Sequence, residues 1–171
     1  MGKADCVGRA AGVYRARGFL MLSFTLMQLL EDHWEELSSN VIQQIRSNSE
    51  LKHMAALPEG ELNRRAREIM KYFGEWLKGN GNIAQRYEEI GRTRFEQGVP
   101  LHEFVRALQM IKQRMINFVR EQGADSAIKI FAEEELEYSL DRFFDQTVYH
   151  SVRGYEAALH YHATRISAVS R

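Results

Sequence analysis

The sequence has little of what marks disulfide-stapled, turn-rich or nucleic-acid-binding proteins. Its one cysteine, Cys6, allows no intrachain disulfide framework, which fits a reducing compartment. Only two prolines occur in 171 residues, which favours long helices over a turn-rich all-β fold. Lys plus Arg equals Asp plus Glu at 23 each, so the chain lacks the basic character of a nucleic-acid-binding protein.

The sequence also lacks an apolar run long enough to span a bilayer. Residues 19–30 resemble the apolar part of a signal peptide, but no small-residue cleavage site follows them. Their leucines continue in phase with Leu37, Val41 and Ile45, which predicts an amphipathic core helix instead. We therefore expect this first helix over residues 19–46, a flexible tail over 1–18, and no membrane partner.

Apolar residues make up 44% and charged residues 27%, which is ordinary for one globular domain of this length. Apolar side chains recur at helical spacing in most of the chain, and no segment alternates like a strand. Breaks at Pro58, Gly79 and Gly98–Pro100 separate the helical stretches. Further helices are predicted over 50–56, from Pro58 towards Gly79, and over 83–97, 101–122 and 125 to near the end of the chain. The predicted fold is an all-α antiparallel helical bundle, with a globin-like arrangement left open, and a long C-terminal signalling helix.

The last helix carries a change of period. Its apolar stripe advances in steps of four residues up to Val152, and from Tyr155 the mean step is 3.5 residues, the coiled-coil period. We predict that the first part of this helix packs on its own bundle and that the part after Tyr155 presents a coiled-coil seam to a partner. The alternative is that this last part is a frayed tail or folds back on the bundle. The candidate relay and dimer residues are Tyr155, Leu159, His162, Ile166 and Val169.

No catalytic or metal-binding motif is complete. His102-Glu103 begins a zinc-protease spelling, but Arg106 occupies the position of the required second histidine. His160 and His162 project about 200° apart on a helix and cannot share a metal. We therefore predict no enzymatic activity, no catalytic or metal-binding residue and no cofactor.

Aromatic residues at helical spacing are expected mostly in the core. They are Tyr72, Phe73, Trp76, Phe143, Phe144, Tyr149 and Tyr155. A globin-like haem- or bilin-binding sensor protein is the alternative function, although His102 in a first helical turn is a poor proximal ligand.

Two stretches resemble a known family. An aromatic residue, a Gly-x-Pro-Leu corner, an acidic residue and an Ala-Leu pair occur at Phe95, Gly98, Pro100–Leu101, Glu103 and Ala107–Leu108. The stretch 140–156 is similar to the closing helix of the same domains. With these motifs, residues 26–159 resemble the N-terminal sensor domain of RsbR-type (RsbT co-antagonist) stressosome proteins and of related bacterial sensor histidine kinases.

The resemblance implies a cytoplasmic, non-enzymatic bacterial input domain for stress-response or two-component signal transduction. Such a domain binds a signal or partner and passes the change through its last helix to a histidine kinase or stress regulator, in cis or in trans. We accordingly predict a sensor domain over 19–155, an extension of the last helix over 156–171, and a homodimer formed through that helix.

Overall fold

The computed structural model of the protein describes residues 25, 27–79, 82–122 and 127–169, and within these ranges all regular structure is helical. The prediction of an all-α bundle is confirmed. The helices that follow a short helical stretch at 27–32 are α1 (Trp34–Ser47), α2 (Lys52–Ala55), α3 (Glu59–Leu77), α4 (Ile83–Glu96), α5 (Leu101–Glu121) and α6 (Ala127–Val169). The predicted tail over 1–18 lies outside the described residues.

The predicted first helix is interrupted at His33. A turn at this residue separates the helical stretch 27–32 from α1, and residues 19–24 and 26 lie outside the description. The Leu29 carbonyl is 3.2 Å from the His33 backbone N–H and 2.9 Å from the His33 Nδ1 atom. The side chain competes with the backbone for this carbonyl, which accounts for the local departure from helical geometry.

Proline and glycine set the helix boundaries where the sequence predicts them. Pro58 and Pro100 stand immediately before α3 and α5, and each carbonyl accepts hydrogen bonds from the first turn of its helix. Gly79 and Gly98 have φ angles of 75° and 70°, in the left-handed region that favours glycine. After α4, the Gly98 N–H donates to the Phe95 carbonyl and the Val99 N–H to the Arg94 carbonyl, which together form a Schellman cap.

The core contains a cluster of aromatic rings. Phe73 and Tyr87 pack around Phe143 with ring centroids 5.2 and 6.1 Å away, and Phe144 lies 5.4 Å from Phe143 on the other side. All four side chains are buried, whereas Tyr149 is 59% exposed. The core assignment thus holds for Phe73, Phe143 and Phe144 and is wrong for Tyr149.

The last helix runs for 43 residues without a break, about 65 Å at helical rise. It packs mainly against α4 and also along α5, while its final turns extend past both helices. The predicted start of this helix, at residue 125, lies outside the described residues. Among those described, no helix is both long enough and apolar enough to cross a membrane.

Candidate functional site

The backbones of α4 and α6 touch where the two helices cross. A Cβ atom added to Gly91 on α4 would overlap the Ser151 carbonyl of α6, and one added to Gly154 on α6 would overlap the Glu88 carbonyl of α4. Ser151 and Ala158, on the same face of α6, are buried. No side chain therefore separates the two helices here, and their backbones are in direct contact.

Polar groups flank this crossing. The Glu88 carboxylate lies 3.2 Å from the Arg153 guanidinium and 3.4 Å from the His150 ring nitrogen Nδ1. Both partners are on α6, so the Arg153–Glu88 ion pair and the His150–Glu88 contact join the helices that meet at Gly91 and Gly154. These partly exposed charges add orientation to the crossing more than stability.

The corner between α4 and α5 holds α6 at a second point. The Tyr155 hydroxyl donates a 3.0 Å hydrogen bond to the Val99 carbonyl, immediately after the Schellman cap. The Phe95 ring meets the Tyr155 ring edge-on at 5.3 Å and lies 5.1 Å from the His162 ring. Two turns of α6 are therefore attached to the Gly98–Pro100 corner.

The structure divides the predicted relay residues into two groups. Tyr155 and His162 converge on Phe95, whereas Leu159 and Ile166 are 48% and 67% exposed. Val169 ends α6, and its side chain lies outside the description. Part of the face that carries these residues thus packs against Phe95 of the same chain, and the rest is exposed.

Glu103 lies within hydrogen-bonding distance of a different helix. Its carboxylate accepts the backbone N–H groups of His53 and Met54 at 2.9 and 3.0 Å, and His53 Nδ1 lies 2.7 Å away. The side chain is 3% exposed. Burial opposes ionisation, but the hydrogen bonds from Met54 and His53 outweigh it and lower the pKa of Glu103. The Glu103 carboxylate therefore connects the first turn of α2 to α5. The His102-Glu103 pair that begins an incomplete zinc-protease motif thus includes a residue that makes a structural contact.

A mostly apolar cavity lies within the bundle between α1, α3, α4 and α5. Its volume is about 70 Å³, and three arginines, Arg65, Arg94 and Arg114, contribute to its wall. Arg94 is 2% exposed and pairs with Glu61 at 2.8 Å. Burial lowers the pKa of Arg94, and the Glu61 carboxylate counters this effect. Within the described ranges no histidine lines the cavity, so haem there would lack an imidazole ligand.

A family model decides the classification. The model of the RsbT co-antagonist protein rsbRD N-terminal domain matches residues 35–168, which is most of the chain. The chain belongs to this family. No curated protein and no solved structure matches the chain.

In this rsbRD N-terminal domain, the motif that carried the resemblance forms the corner between α4 and α5. Gly98 caps α4, Pro100 precedes α5, and Glu103 binds α2. Among the described residues, no group of three or more His, Cys, Asp and Glu side chains is placed to hold a metal ion. Stress signalling is the context that the family supports for this domain.

Sequence reasoning missed the crossing and the buried ion pair. Gly91 and Gly154 carry no apolar side chain, so they do not contribute to the apolar spacing from which buried helix faces are predicted. The available signal was a small residue at every third or fourth position on α6, at Ser151, Gly154 and Ala158. Arg94 and Glu61 are 33 residues apart, and no local pattern joins them.

Proposed function

We propose that this chain is the signal-input domain of a bacterial stress-signalling system and acts without catalysis. One observation carries the proposal. The single helix α6 packs into the bundle against α4 and then continues with Leu159 and Ile166 exposed. A change inside the bundle can therefore reach an output partner without crossing a loop.

The relay would act at the two attachments of α6. The backbone contact at Gly91 and Gly154 couples α6 to movements of α4, and the Tyr155 hydrogen bond to Val99 couples it to the corner. A ligand or partner changes the packing of α6 only if it binds two different packings of this helix with different affinity. The proposal thus has two packings of α6, one with the Tyr155 bond formed and one with it broken.

The output side of the proposal is a homodimer through α6. Leu159 and Ile166 lie seven residues apart, two turns along one face, as a helix pair requires. In the cell this seam would lead to a histidine kinase or stress regulator in the cytoplasm, supplied in cis or in trans. The membership in the RsbT co-antagonist family and the period change after Tyr155 support this assignment.

Charging the seam tests the dimer. We expect the intact chain to sediment as a dimer, and the double variant Leu159→Asp/Ile166→Asp to dissociate at least about 100-fold more readily, because two carboxylates per protomer would lose hydration in an apolar seam. Sedimentation equilibrium over a range of concentrations measures this change.

The matched control is Ala157→Asp/Thr164→Asp. These exposed positions are also seven residues apart but lie on the opposite face of α6, and this variant should remain dimeric. A monomeric parent chain, or equal dissociation of both variants, would contradict a homodimer formed through α6. In cells of the source bacterium, the seam variant alone should lose stress-induced expression of a reporter.

A further inference from the structure

The cavity between α1, α3, α4 and α5 has no role in the fold itself. Protein interiors are normally close-packed, and a cavity of about 70 Å³ is several times the roughly 10–15 Å³ that one water molecule requires. Most of its wall is aliphatic, formed by side chains such as Val41, Ile69 and Leu108. Water binds poorly in such surroundings because it finds few polar partners.

Three arginines form much of the polar part of the wall. Arg65, Arg94 and Arg114 each use a terminal guanidinium nitrogen to bind a carboxylate, at 2.8, 2.8 and 3.1 Å respectively. The carboxylate partners are Glu68, Glu61 and Glu121. In all three arginines the Nε atom is buried and has no hydrogen-bond partner among the residues that the structure describes. Native structures rarely leave buried donors unpaired.

The charges around the cavity favour an anion. Glu68 is the one carboxylate that lines it, and this group is already bound by Arg64 and Arg65. Arg94 is buried to 2% exposure with Glu61 as its only carboxylate partner in the described chain. An added carboxylate would offset positive charge in a region of low dielectric.

We propose that the cavity binds a small monocarboxylate with an apolar body, and that this anion is a signal sensed by the domain. The apolar part fills the space between the aliphatic side chains, and the carboxylate accepts from Arg94 and Arg114. Access is from the side of Arg65 and Arg114, whose side chains are 21% and 17% exposed.

The signalling half of this inference rests on the proposed relay through α6. Arg94 and Tyr87, which line the cavity, belong to α4, and Gly91 between them touches α6. A ligand that draws Arg94 towards the cavity would shift α4 at the position where no side chain separates it from α6.

Three probes test the ligand class by isothermal titration calorimetry of the full chain. Isobutyrate has both a small apolar body and a carboxylate, isobutyramide replaces the charged head by a neutral one of the same shape, and acetate lacks the body. We expect isobutyrate to bind at least about tenfold more tightly than isobutyramide, since a charge-assisted hydrogen bond contributes that factor or more, and about tenfold more tightly than acetate, since its two additional methyl groups are buried. Equal binding of isobutyrate and isobutyramide, or no binding of any probe, would overturn the proposal.

Two variants locate the site. Arg114→Met should weaken isobutyrate about tenfold and isobutyramide less, because it removes a charged donor and keeps the length of the side chain. Arg120→Met is the matched control: Arg120 is on the same helix and also pairs with one carboxylate, Glu137, but does not line the cavity. Ala107→Val, which fills part of the cavity, should weaken both branched probes. Equal effects of Arg114→Met and Arg120→Met on isobutyrate would contradict the site.

These outcomes are separable from those of the relay. If no probe binds while Leu159→Asp/Ile166→Asp dissociates the dimer, the ligand proposal fails and the proposed function stands. If isobutyrate binds with the expected selectivity but the parent chain is monomeric, the ligand site stands and the dimer fails.

Discussion

Replacing Gly154 with alanine is expected to lower the free energy of unfolding by about 3 kcal/mol. The new methyl group would overlap the Glu88 carbonyl and lie 2.6 Å from the Glu88 Cα atom. Both obstacles belong to the backbone of α4, so no rotamer change relieves them and the helices must separate. Urea unfolding at one fixed protein concentration, followed by far-UV circular dichroism, measures the change.

Gly60→Ala is the matched control for this substitution. Gly60 is also helical, but a Cβ atom there would meet nothing within 4 Å. Alanine has the higher helix propensity, so this variant should be unchanged or more stable by up to about 1 kcal/mol. Gly91→Ala should resemble Gly154→Ala, because its methyl group would overlap the Ser151 carbonyl. A loss below about 1 kcal/mol in both crossing variants would contradict direct backbone contact between α4 and α6.

Replacing Glu103 with glutamine is expected to cost about 2–3 kcal/mol near pH 7. The amide keeps the shape but loses the charge. Its oxygen can still accept from the backbone N–H groups of His53 and Met54, which share one oxygen of Glu103, but its NH2 group then faces His53 Nδ1 in place of the second carboxylate oxygen. Glu50→Gln, an exposed position just before α2, should stay within about 0.5 kcal/mol of the parent. Urea unfolding of the three proteins at the same concentration gives these differences.

The effect of Glu103→Gln should shrink in acid. The pKa of Glu103 is lowered in the folded state, so the unfolded chain takes up the proton first as pH falls. The stabilisation is complete above the unfolded pKa of about 4.3 and is lost progressively as pH falls through the lower folded value. Unfolding measured between pH 7 and pH 3 should therefore bring the parent and the variant together. A difference that does not depend on pH would show that the charge of Glu103 contributes nothing.

Local signals in the sequence were sufficient for the helices and their ends. Gly98 and Pro100 restrict the backbone by their own covalent structure, and apolar spacing marks the buried faces of α3 and α5, so these elements could be placed without knowledge of the fold. The interruption at His33 was not predicted, because it involves a side chain that lies beside the Leu29 carbonyl. Apolar spacing carries no information about such a contact.

The candidate site could be predicted only in part, because its contacts join distant positions. On α6 the apolar stripe was followed through Val148 and Val152, which are only partly buried, while Thr147 and Ser151 one position earlier are fully buried. The close approach to Gly91 turns this face inward, and that approach depends on a residue 60 positions away. Glu103 and His53 likewise meet across 50 residues. Pair contacts of this kind follow from the packing of whole helices and not from local periodicity.

The position of the crossing gives α6 the mechanics of a lever. Gly154 is the fulcrum, and the 15 residues from there to Val169 form an arm of roughly 22 Å. Tilting this arm by about 5° moves its tip by about 2 Å, similar to the helix shifts that switch subunit interfaces. In the proposed relay, movements too small to open the packed core would be magnified at the far end of the helix, where the proposed output partner would bind.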